Sequence, residues 1–145
     1  MPIVIQRIDF DSSAEALLAG SQLPTQDLSG STDALLFGYA SEGVLVGVVG
    51  LELRGSDALL RSLAVAEDKR RDGLGVALAS YAEQQAAQHG VRTVYLLTTT
   101  AKVFFERCGY APIQRREAPS GIASTSQFTE LCPPSSTFMF KQLGI

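Results

Sequence analysis

Three apolar runs separated by two short polar turns constrain the fold of this chain more than any other feature. The runs are ALLFGYA (34–40), VLVGVVGLEL (44–53) and ALLRSLAV (58–65). The turns, residues 41–43 and 54–57, each contain a glycine and have the length of hairpin connections. The pattern therefore predicts an antiparallel meander of three strands.

A helical pattern begins soon after this meander. Apolar residues recur at helical spacing along one side of the next segment: Leu74, Ala77, Leu78 and Tyr81. Gly90 supplies a stop, and VRTVYLLT (91–98) predicts a buried strand. A second helix is predicted over 101–108, ending at Gly109, with one apolar stripe formed by Ala101, Phe104, Phe105 and Cys108.

The first part of the chain carries weaker signals. PIVIQRI (2–8) is rich in β-branched residues and predicts a strand. A short helix around 14–20 follows, with Ser12 or Ser13 as its cap. Residues 21–32 indicate a loop, or alternatively a second short helix around 24–28.

The last part of the chain predicts two strands and a helix. YAPIQRRE (110–117) is expected to be an edge strand, because Pro112 would break a central ladder. Residues 119–131 fit a helix opened by Pro119, and the Ser124…Gln127 spacing is an alternative start. STFMFKQL (136–143) alternates and predicts the final strand.

Length and composition exclude several classes of protein. A chain of 145 residues with 46% hydrophobic and 19% charged residues is typical of one globular domain, which we expect to span 1–145. The net charge of −3 argues against general nucleic-acid binding. The apolar stretches are too short to cross a bilayer, and the N-terminus lacks the basic head of a secretory signal. We therefore expect a cytoplasmic protein with neither nucleic-acid nor membrane partners.

Metal ligation is not predicted. Cys108 and Cys132 lack ligand spacing, and His89 is the only histidine. We expect Cys108 to be a buried, inert thiol and His89 to contact the carbonyls at the end of its helix. Tyr110 is interpreted as a packing residue, and recruitment of its hydroxyl as an acid is the alternative.

The stretch KRRDGLG (69–75) combines two glycines with positive charge at the predicted start of a helix. A helix N-terminus presents unpaired N–H groups and a partial positive charge, which together bind phosphate. The stretch is not a P-loop, and Leu78 occupies the place of the third small residue of a dinucleotide fingerprint. It predicts a pyrophosphate site, and the alternative is that Gly73 and Gly75 only relax the helix start.

Two motifs resemble the GNAT family of N-acetyltransferases. In SLAVAEDKRRDGLGVAL, residues Arg70, Gly73 and Gly75 match the family's Q/R-x-x-G-x-G/A signature, and VYLLTTTAKVFFERCGY is similar to its later strand–helix motif. The resemblance spans nearly the whole chain. It implies an α+β, three-layer α/β/α fold with a mixed, largely antiparallel sheet that is splayed between strands four and five.

Three strings are similar to narrower groups within this family. LLRSLAV, YLLTTTAKVFFERCGY and FTELCPPSSTFM resemble small acetyltransferases associated with arsenic-resistance operons. The second string also resembles the catalytic domain of N-acetylglutamate synthases. These likenesses imply acetyl transfer from acetyl-CoA to the amine of an amino acid or an amino-acid-like toxin, including an arsenical.

The resemblance also implies where acetyl-CoA binds. It would lie between strands 58–65 and 92–98, with its pantetheine arm on the main chain of Leu63 and Val65. A backbone N–H near Val65 is implied to polarise the thioester carbonyl. The implied cofactor-binding residues are Leu63, Ala64, Val65, Arg70, Arg71, Asp72, Gly73, Leu74, Gly75, Val76 and Phe104.

The chain departs from the family at two catalytic positions. Many members have a tyrosine acid where Phe105 stands, and some have a glutamate base near the position of Leu59. The catalytic residues are therefore unknown, with Arg61 and Glu52 as candidates. Arg61 would clamp a carboxylate if it faces the cleft, and otherwise lies on a solvated sheet face. Glu52 is a candidate base, and a solvent-facing position is the favoured alternative.

Three threonines complete the predicted substrate site together with Arg61. Thr98, Thr99 and Thr100 follow the buried strand, where their hydroxyls can reach substrate or cofactor. The alternative is strand propensity together with capping of the next helix at Thr100.

Three functions compete at this point. The favoured one is a small-molecule N-acetyltransferase. A non-catalytic acyl-CoA-binding sensor is favoured by the departures at Phe105 and Leu59, and a protein or peptide acetyltransferase would need an open groove. Edge strands near the C-terminus are compatible with a homodimer.

Overall fold

A computed structural model describes residues 4–21, 23, 25, 28, 34–67, 73–131 and 135–143, with the main chain alone at 130 and 131. Arg70, Arg71, Asp72 and Cys132 lie outside the described residues, as does most of segment 21–32. Within that segment the N–H of Leu28 donates to the carbonyl of Thr25 at 2.9 Å, which forms a turn.

The described strands form one seven-stranded mixed sheet in the order β1-β2-β3-β4-β5-β7-β6. They are β1 Gln6–Ile8, β2 Ala34–Ser41, β3 Val44–Arg54, β4 Asp57–Val65, β5 Thr93–Thr98, β6 Ala111–Pro112 and β7 Thr137–Gln142. Neighbouring strands are antiparallel except β4 and β5, which are parallel. The predicted meander is confirmed as β2, β3 and β4.

Both hairpins of the meander turn through left-handed backbone. Glu42 (φ 54°) and Gly43 (φ 79°) connect β2 to β3, and Gly55 (φ 69°) begins the turn into β4. Consecutive positive φ values match the strand twist in two-residue hairpins. The short polar segments therefore form the connections that their composition predicts.

The helices of the described chain follow the predicted order. They are α1 Ser12–Gly20, α2 Leu74–Gln88, α3 Lys102–Arg107 and α4 Ser120–Ala123. The predicted cap of α1 is wrong, because the carboxylate of Asp11 accepts from the N–H of Ala14 at 3.0 Å. Asp11 immediately precedes the helix, which is where a side chain reaches the free N–H groups.

The segment after α3 is less regular than predicted. Its strand is limited to β6 at the edge of the sheet, and a 3-10 turn, Arg115–Glu117, replaces the rest. A π-helical turn, Gln127–Leu131, follows α4 after a break. Thr125 forms this break, since its hydroxyl donates to the carbonyl of Ile122 at 2.7 Å and accepts from the N–H of Phe128 at 3.4 Å. Both alternatives for 119–131 are thus partly right, although Thr125 takes the place expected for Ser124.

Helices cover both faces of the sheet. Consecutive strand residues point to opposite faces, and Leu60 packs in the cluster under α2 and α3, whereas Leu59 packs with Ile122 of α4. Leu18 of α1 packs against Val48 on the same face as α4. We call these faces the α2 face and the α1 face. This arrangement confirms the three-layer fold.

A glycine in β3 brings α2 close to the sheet. An added Cβ at Gly47 would lie 2.8 Å from Cδ1 of Leu78 and 2.9 Å from Cδ2 of Leu74. These distances are shorter than a real Cβ contact allows. The first turns of α2 therefore rest on the main chain of β3.

A polar cluster ties the turn after α3 to α2 and β7. Lys141 Nζ donates to Oε1 of Glu83 at 2.8 Å and to the carbonyl of Cys108 at 2.9 Å. The hydroxyl of Tyr110 donates to Oε2 of Glu83 at 3.0 Å. The three contacts fix the turn at Gly109, whose φ is 100°.

Replacing Gly109 with alanine is expected to lower the free energy of unfolding by about 1–3 kcal/mol. The left-handed backbone disfavours a side chain, and the added Cβ would lie 3.2 Å from Cε of Lys141. Chemical denaturation measures the change. Gly20→Ala is the control, because nothing lies within 4 Å of its added Cβ. Equal midpoints for the two variants would refute the strain argument.

Candidate active site

β4 and β5 separate towards their carboxyl ends. The parallel register joins residues 57–59 to residues 93–95 and extends no further. Beyond it, β4 stays paired with β3 and β5 with β7. The sheet is therefore splayed between strands four and five, as the resemblance implies, and the gap opens towards Val65 and Thr98.

β4 contains a bulge beside this gap. Gly50 pairs with Arg61 and Val48 pairs with Ala64, which leaves the intervening residues of β4 outside the regular register. One of these is Ser62, whose φ of 57° is uncommon for a residue with a Cβ. Because a bulge removes residues from the ladder, the main chain here is not committed to regular pairing with β3.

The N-terminus of α2 lies just after β4 in the chain and has no side-chain cap. Gly73 is the N-cap, with φ 76°, and the first turn contains no acidic residue. The N–H of Ala77 makes a helical bond with the carbonyl of Gly73 at 3.1 Å. The N–H groups of Leu74, Gly75 and Val76 precede it and have no partner within the helix. Such an end suits an anion.

Gly75 connects this helix end with the gap. An added Cβ there would lie 3.2 Å from Cζ of Phe104 and 3.9 Å from Cγ2 of Val65. Three predicted cofactor residues, from α2, α3 and β4, are therefore neighbours. The side chain of Ala64 packs in the α1-face core instead, so only its main chain is left to line the gap. Gly73 is left-handed and Gly75 has little room for a side chain, so glycine is required at both positions by the local structure, and the pyrophosphate site stays a prediction.

Arg61 and Glu52 are buried and contact each other, so the solvated positions considered for them are wrong. Arg61 Nη1 donates to Oε2 of Glu52 at 2.8 Å, and Arg61 Nε donates to the Ser62 hydroxyl at 3.0 Å. Arg61 is 3% exposed and Glu52 is 4% exposed. Arg54 donates to the other carboxylate oxygen of Glu52 at 2.9 Å. Both oxygens of Glu52 therefore accept from arginine, which does not favour a role as general base.

The cover on the α1 face explains this burial. Ile122 of α4 packs with Leu59, and an added Cβ at Gly121 would lie 3.1 Å from Cβ of Arg54. A strand's own alternation identifies its two faces but not the distant segment that covers one of them. The C-terminal helical segment supplies that cover here.

The three predicted threonines lie where the gap opens, with one correction. Thr98 Oγ1 accepts from the N–H of Ala101 at 3.0 Å. Ala101 is the N-cap of α3 and no side chain caps the helix, so the capping considered for Thr100 is wrong. Thr99 and Thr100 are exposed. Their hydroxyls follow the end of β5, at the separated ends of the two strands.

Three further residues have the structural roles that were favoured for them. Tyr110 is 3% exposed, and burial above all, followed by the charge of Glu83, raises the pKa of Tyr110 far above its ordinary value. It is therefore a poor acid. Burial also raises the pKa of the half-buried Cys108 thiol, as expected for an inert cysteine. His89 Nδ1 lies 2.8 Å from the carbonyl of Gln85.

The two positions that depart from the family are core positions. Phe105 is 6% exposed, and its ring packs edge-on against Phe104 and Tyr110 at centroid distances of 5.1 and 5.7 Å. Leu59 is 1% exposed. Neither side chain can transfer a proton.

An open cavity of about 610 Å³ lies on the α1 face, across β3 from Arg61. Leu36 lines it, and an added Cβ at Gly50 would lie 3.2 Å from Leu36 and 3.1 Å from Arg61. The polar lining consists of Arg7, Asp9, Asp11, Ser12 and Glu15. The lining contains three carboxylates and only one guanidinium, so the cavity favours a positively charged ligand.

The described residues contain neither a membrane-spanning helix nor a metal-binding cluster. None of the helices described combines the length and hydropathy needed to cross a bilayer. Among the same residues, no group of three or more His, Cys, Asp or Glu side chains is arranged as a metal site.

Ser62 and Arg54 are two residues of the site that the sequence analysis missed. Arg54 had a readable signal, because it stands two residues after Glu52 on one strand and so shares its face. Ser62 had none, since a bulge depends on how two strands pair.

A family comparison agrees with this geometry. The model described as acetyltransferase (GNAT) family matches residues 6–110, which include the strands beside the gap, the start of α2 and all of α3. This chain belongs to the GNAT family. The GNAT chain is also 40% identical over 65 residues to an uncharacterized N-acetyltransferase of Chlorobaculum tepidum, CT2212. That match covers 45% of this chain and 41% of the relative, so the chain spans less than half of that protein's length.

Solved structures share the GNAT fold at low sequence identity. A Klebsiella pneumoniae protein assigned to the acyl-CoA N-acyltransferases is 23% identical, with a TM-score of 0.78 and 98% coverage of both chains. Neisseria gonorrhoeae N-acetylglutamate synthase, complexed with coenzyme A and N-acetyl-glutamate, is 15% identical, with a TM-score of 0.78. The match covers 100% of this chain and 36% of the synthase chain.

A third structure extends this comparison. Rv2747 of Mycobacterium tuberculosis, in complex with coenzyme A, is 18% identical, with a TM-score of 0.73. The match covers 97% of this chain and 99% of Rv2747. At these identities the three structures establish the fold alone. Two of these proteins, the synthase and Rv2747, were solved in complex with coenzyme A.

Proposed function

We propose that this GNAT protein transfers the acetyl group of acetyl-CoA to the amine of a small, amino-acid-like molecule. The observation that carries the proposal is the buried guanidinium of Arg61, held by Glu52 and Ser62 where β4 leaves β5. A planar, fixed guanidinium is suited to a carboxylate. An amino acid offers that carboxylate together with an amine.

The residues around the gap fit acetyl-CoA. When bound, it supplies the acetyl group as an activated thioester. The main chain of Leu63, Ala64 and Val65 would hold the pantetheine arm in the manner of an added strand. The first-turn amides of α2, from Gly73, Leu74, Gly75 and Val76, would hold its pyrophosphate. Phe104 would line the thiol end, and the proposed set is completed by Arg70, Arg71 and Asp72.

The chain's main contribution to the reaction is positioning. The acceptor nitrogen forms a bond to the acetyl carbon as the carbon–sulfur bond breaks, the amine loses a proton and the thiolate gains one. An N–H of the bulged stretch near Val65 would stabilise the developing oxyanion, a contribution of about 2.7–4 kcal/mol for one donor. Because Phe105 and Leu59 offer no ionisable group, we propose that water carries both protons.

The acceptor site is proposed on the α1 face. Arg61 would bind the carboxylate, and Glu52 would act through Arg61 by fixing its orientation. Thr98, Thr99 and Thr100 would contact the acceptor from the end of β5. The acidic cavity beyond Gly50 would attract the protonated amine before it reaches the gap.

Coenzyme A release tests the role of the carboxylate. Purified protein receives acetyl-CoA with each common amino acid, or with the matched amine that lacks the carboxylate. We expect kcat/KM to be at least ~10-fold higher for the amino acid, since one charge-assisted bond contributes about 1.5–3 kcal/mol. Arg61→Lys retains the charge but removes the planar fork and should shrink this ratio. Equal values for both substrate sets in the wild type would contradict the proposal.

A non-catalytic acyl-CoA sensor is the second candidate function. It is favoured by Phe105 and Leu59, two buried apolar residues. They occupy the two positions at which other family members have an ionisable residue for proton transfer. Coenzyme A binding without turnover of any amine would support the sensor. Turnover of peptides but not of free amino acids would instead support a protein or peptide acetyltransferase.

Three finer proposals rest on the sequence resemblance. Arsenical analogues of amino acids belong to the proposed acceptors, and the same assay extended to arsenicals tests them. A cytoplasmic location and a homodimer joined through edge strands are proposed on the same footing. We propose no nucleic-acid or membrane partner.

A further inference from the structure

The hydroxyl of Ser136 is buried without a hydrogen-bond partner. Ser136 is 7% exposed, and its Oγ is the only buried side-chain polar atom among the described residues for which no partner is found. Buried hydroxyl groups in folded proteins are nearly always paired, because an unpaired one destabilises the fold. A bound ligand or an ordered water would satisfy this hydroxyl.

Ser136 directly precedes β7, across β5 from the gap and at the level where the gap opens. Thr137 pairs with Thr98 in the last ladder pair between β7 and β5, and Ser136 directly precedes Thr137. At that level β4 has already separated from β5. Residues two apart on an extended chain share a face, and Phe138 packs in the α1-face cluster. Ser136 lies in the bend just before β7, and alternation continued from the strand into this bend puts it on the face that carries Arg61.

The position of Ser136 is fixed by its neighbours. Arg115 Nη2 donates to the carbonyl of Ser136 at 3.1 Å, and the Arg115 guanidinium carbon lies 5.5 Å from the centre of the Phe128 ring. The N–H of Ile113 donates to the carbonyl of Phe138 at 2.9 Å. These contacts fix the main chain around Ser136, so only the rotation of its own side chain is needed to meet a ligand.

We propose that Ser136 Oγ accepts a hydrogen bond from the amine of the acceptor and so directs the nitrogen towards the gap. This role rests on the proposed function. Arg61 serves the acceptor's carboxylate, which leaves the amine to be oriented by a neutral group, and a hydroxyl can accept from it at any ordinary pH. Ser136 is therefore a substrate-binding residue that fixes the reacting atom.

Steady-state kinetics of Ser136→Ala test the proposal. We expect KM for the best amino acid to rise about tenfold, as for the loss of one hydrogen bond. The matched amine without a carboxylate should show the same rise, because the contact is to the nitrogen. The dissociation constant of coenzyme A should not change. Tm should stay or increase, since the replacement removes an unpaired buried hydroxyl. Ser135→Ala changes an exposed neighbour and should match the wild type.

The outcomes separate this proposal from the one it rests on. If the wild type acetylates an amino acid and Ser136→Ala leaves KM unchanged, or if its Tm falls, the role of Ser136 is overturned and the proposed function stands. If KM rises for the amino acid alone, the contact is to the carboxylate and the assignment to the amine is overturned. A wild type that acetylates nothing overturns the proposed function and the role of Ser136 with it.

Discussion

Replacing Val76 with aspartate is expected to weaken the binding of coenzyme A by about 30-fold. Val76 is 54% exposed in the first turn of α2, so the replacement disturbs no core contact. The new carboxylate would stand beside the N–H groups proposed to hold the pyrophosphate. Repulsion at about 6 Å in a surface environment costs about 2 kcal/mol. Isothermal titration calorimetry with coenzyme A measures the change.

The same variant separates binding from folding. A carboxylate in the first turn of a helix interacts favourably with the helix dipole, so the Tm of Val76→Asp should not fall. Ser80→Asp places the same charge on the same helix at an exposed position one turn later. It should weaken binding much less, because the charge lies beyond the first turn. If both variants bind coenzyme A as the wild type does, the pyrophosphate is not at the start of α2.

Replacing Arg61 with methionine is expected to lower the free energy of unfolding by about 3–5 kcal/mol, the usual cost of leaving one partner of a buried ion pair. The lost contact is the 2.8 Å bond to Glu52, and both side chains are almost fully buried. The remaining carboxylate would keep only Arg54 of the two arginines that contact it here. Urea denaturation measures the change.

A double-mutant cycle with Glu52→Met identifies the cause. The double variant buries no charge at the two positions, so its loss should be smaller than the sum of the single losses by about 2 kcal/mol. Arg54→Met is the control, because its side chain is 23% exposed and should contribute about 1 kcal/mol or less. The Arg61–Glu52 pair is not the source of the destabilisation if the losses in unfolding free energy are additive. The same holds if Arg61→Met loses no more unfolding free energy than Arg54→Met.

Local patterns predicted most of the fold. The meander, α2 and β5 were identified correctly because each has a strong period and a glycine or turn residue at its end. The segment after α3 was predicted less well. Pro112 correctly indicated an edge, but the length of that strand depends on how many residues β7 can pair with. The break at Thr125 is made locally by its hydroxyl, which bonds to the Ile122 carbonyl and the Phe128 N–H. The spacing in the sequence indicated a cap one residue earlier, at Ser124.

The site was predictable where it depends on backbone conformation and not where it depends on burial. Gly73 and Gly75 stand out in the sequence because a left-handed cap and a crowded helix start both require glycine. Alternation placed Arg61 on one of two faces, and only the distant α4 segment decides that Arg61 is buried there. The left-handed conformation of Ser62 arises from strand pairing, and the unpaired hydroxyl of Ser136 arises from burial by distant segments. No residue pattern in the sequence predicts either feature.

The glycine at position 47 has a consequence beyond packing. It lies in a different strand from the gap, yet the absence of its Cβ lets Leu74 and Leu78 rest on the β3 backbone. Leu74 is also the first residue of α2. A side chain at 47 would have to displace Leu74 and Leu78 in the first turns of α2. Under the proposed function, a resulting shift of the first-turn N–H groups would weaken binding of the acetyl donor, although Gly47 is not among the proposed ligand contacts.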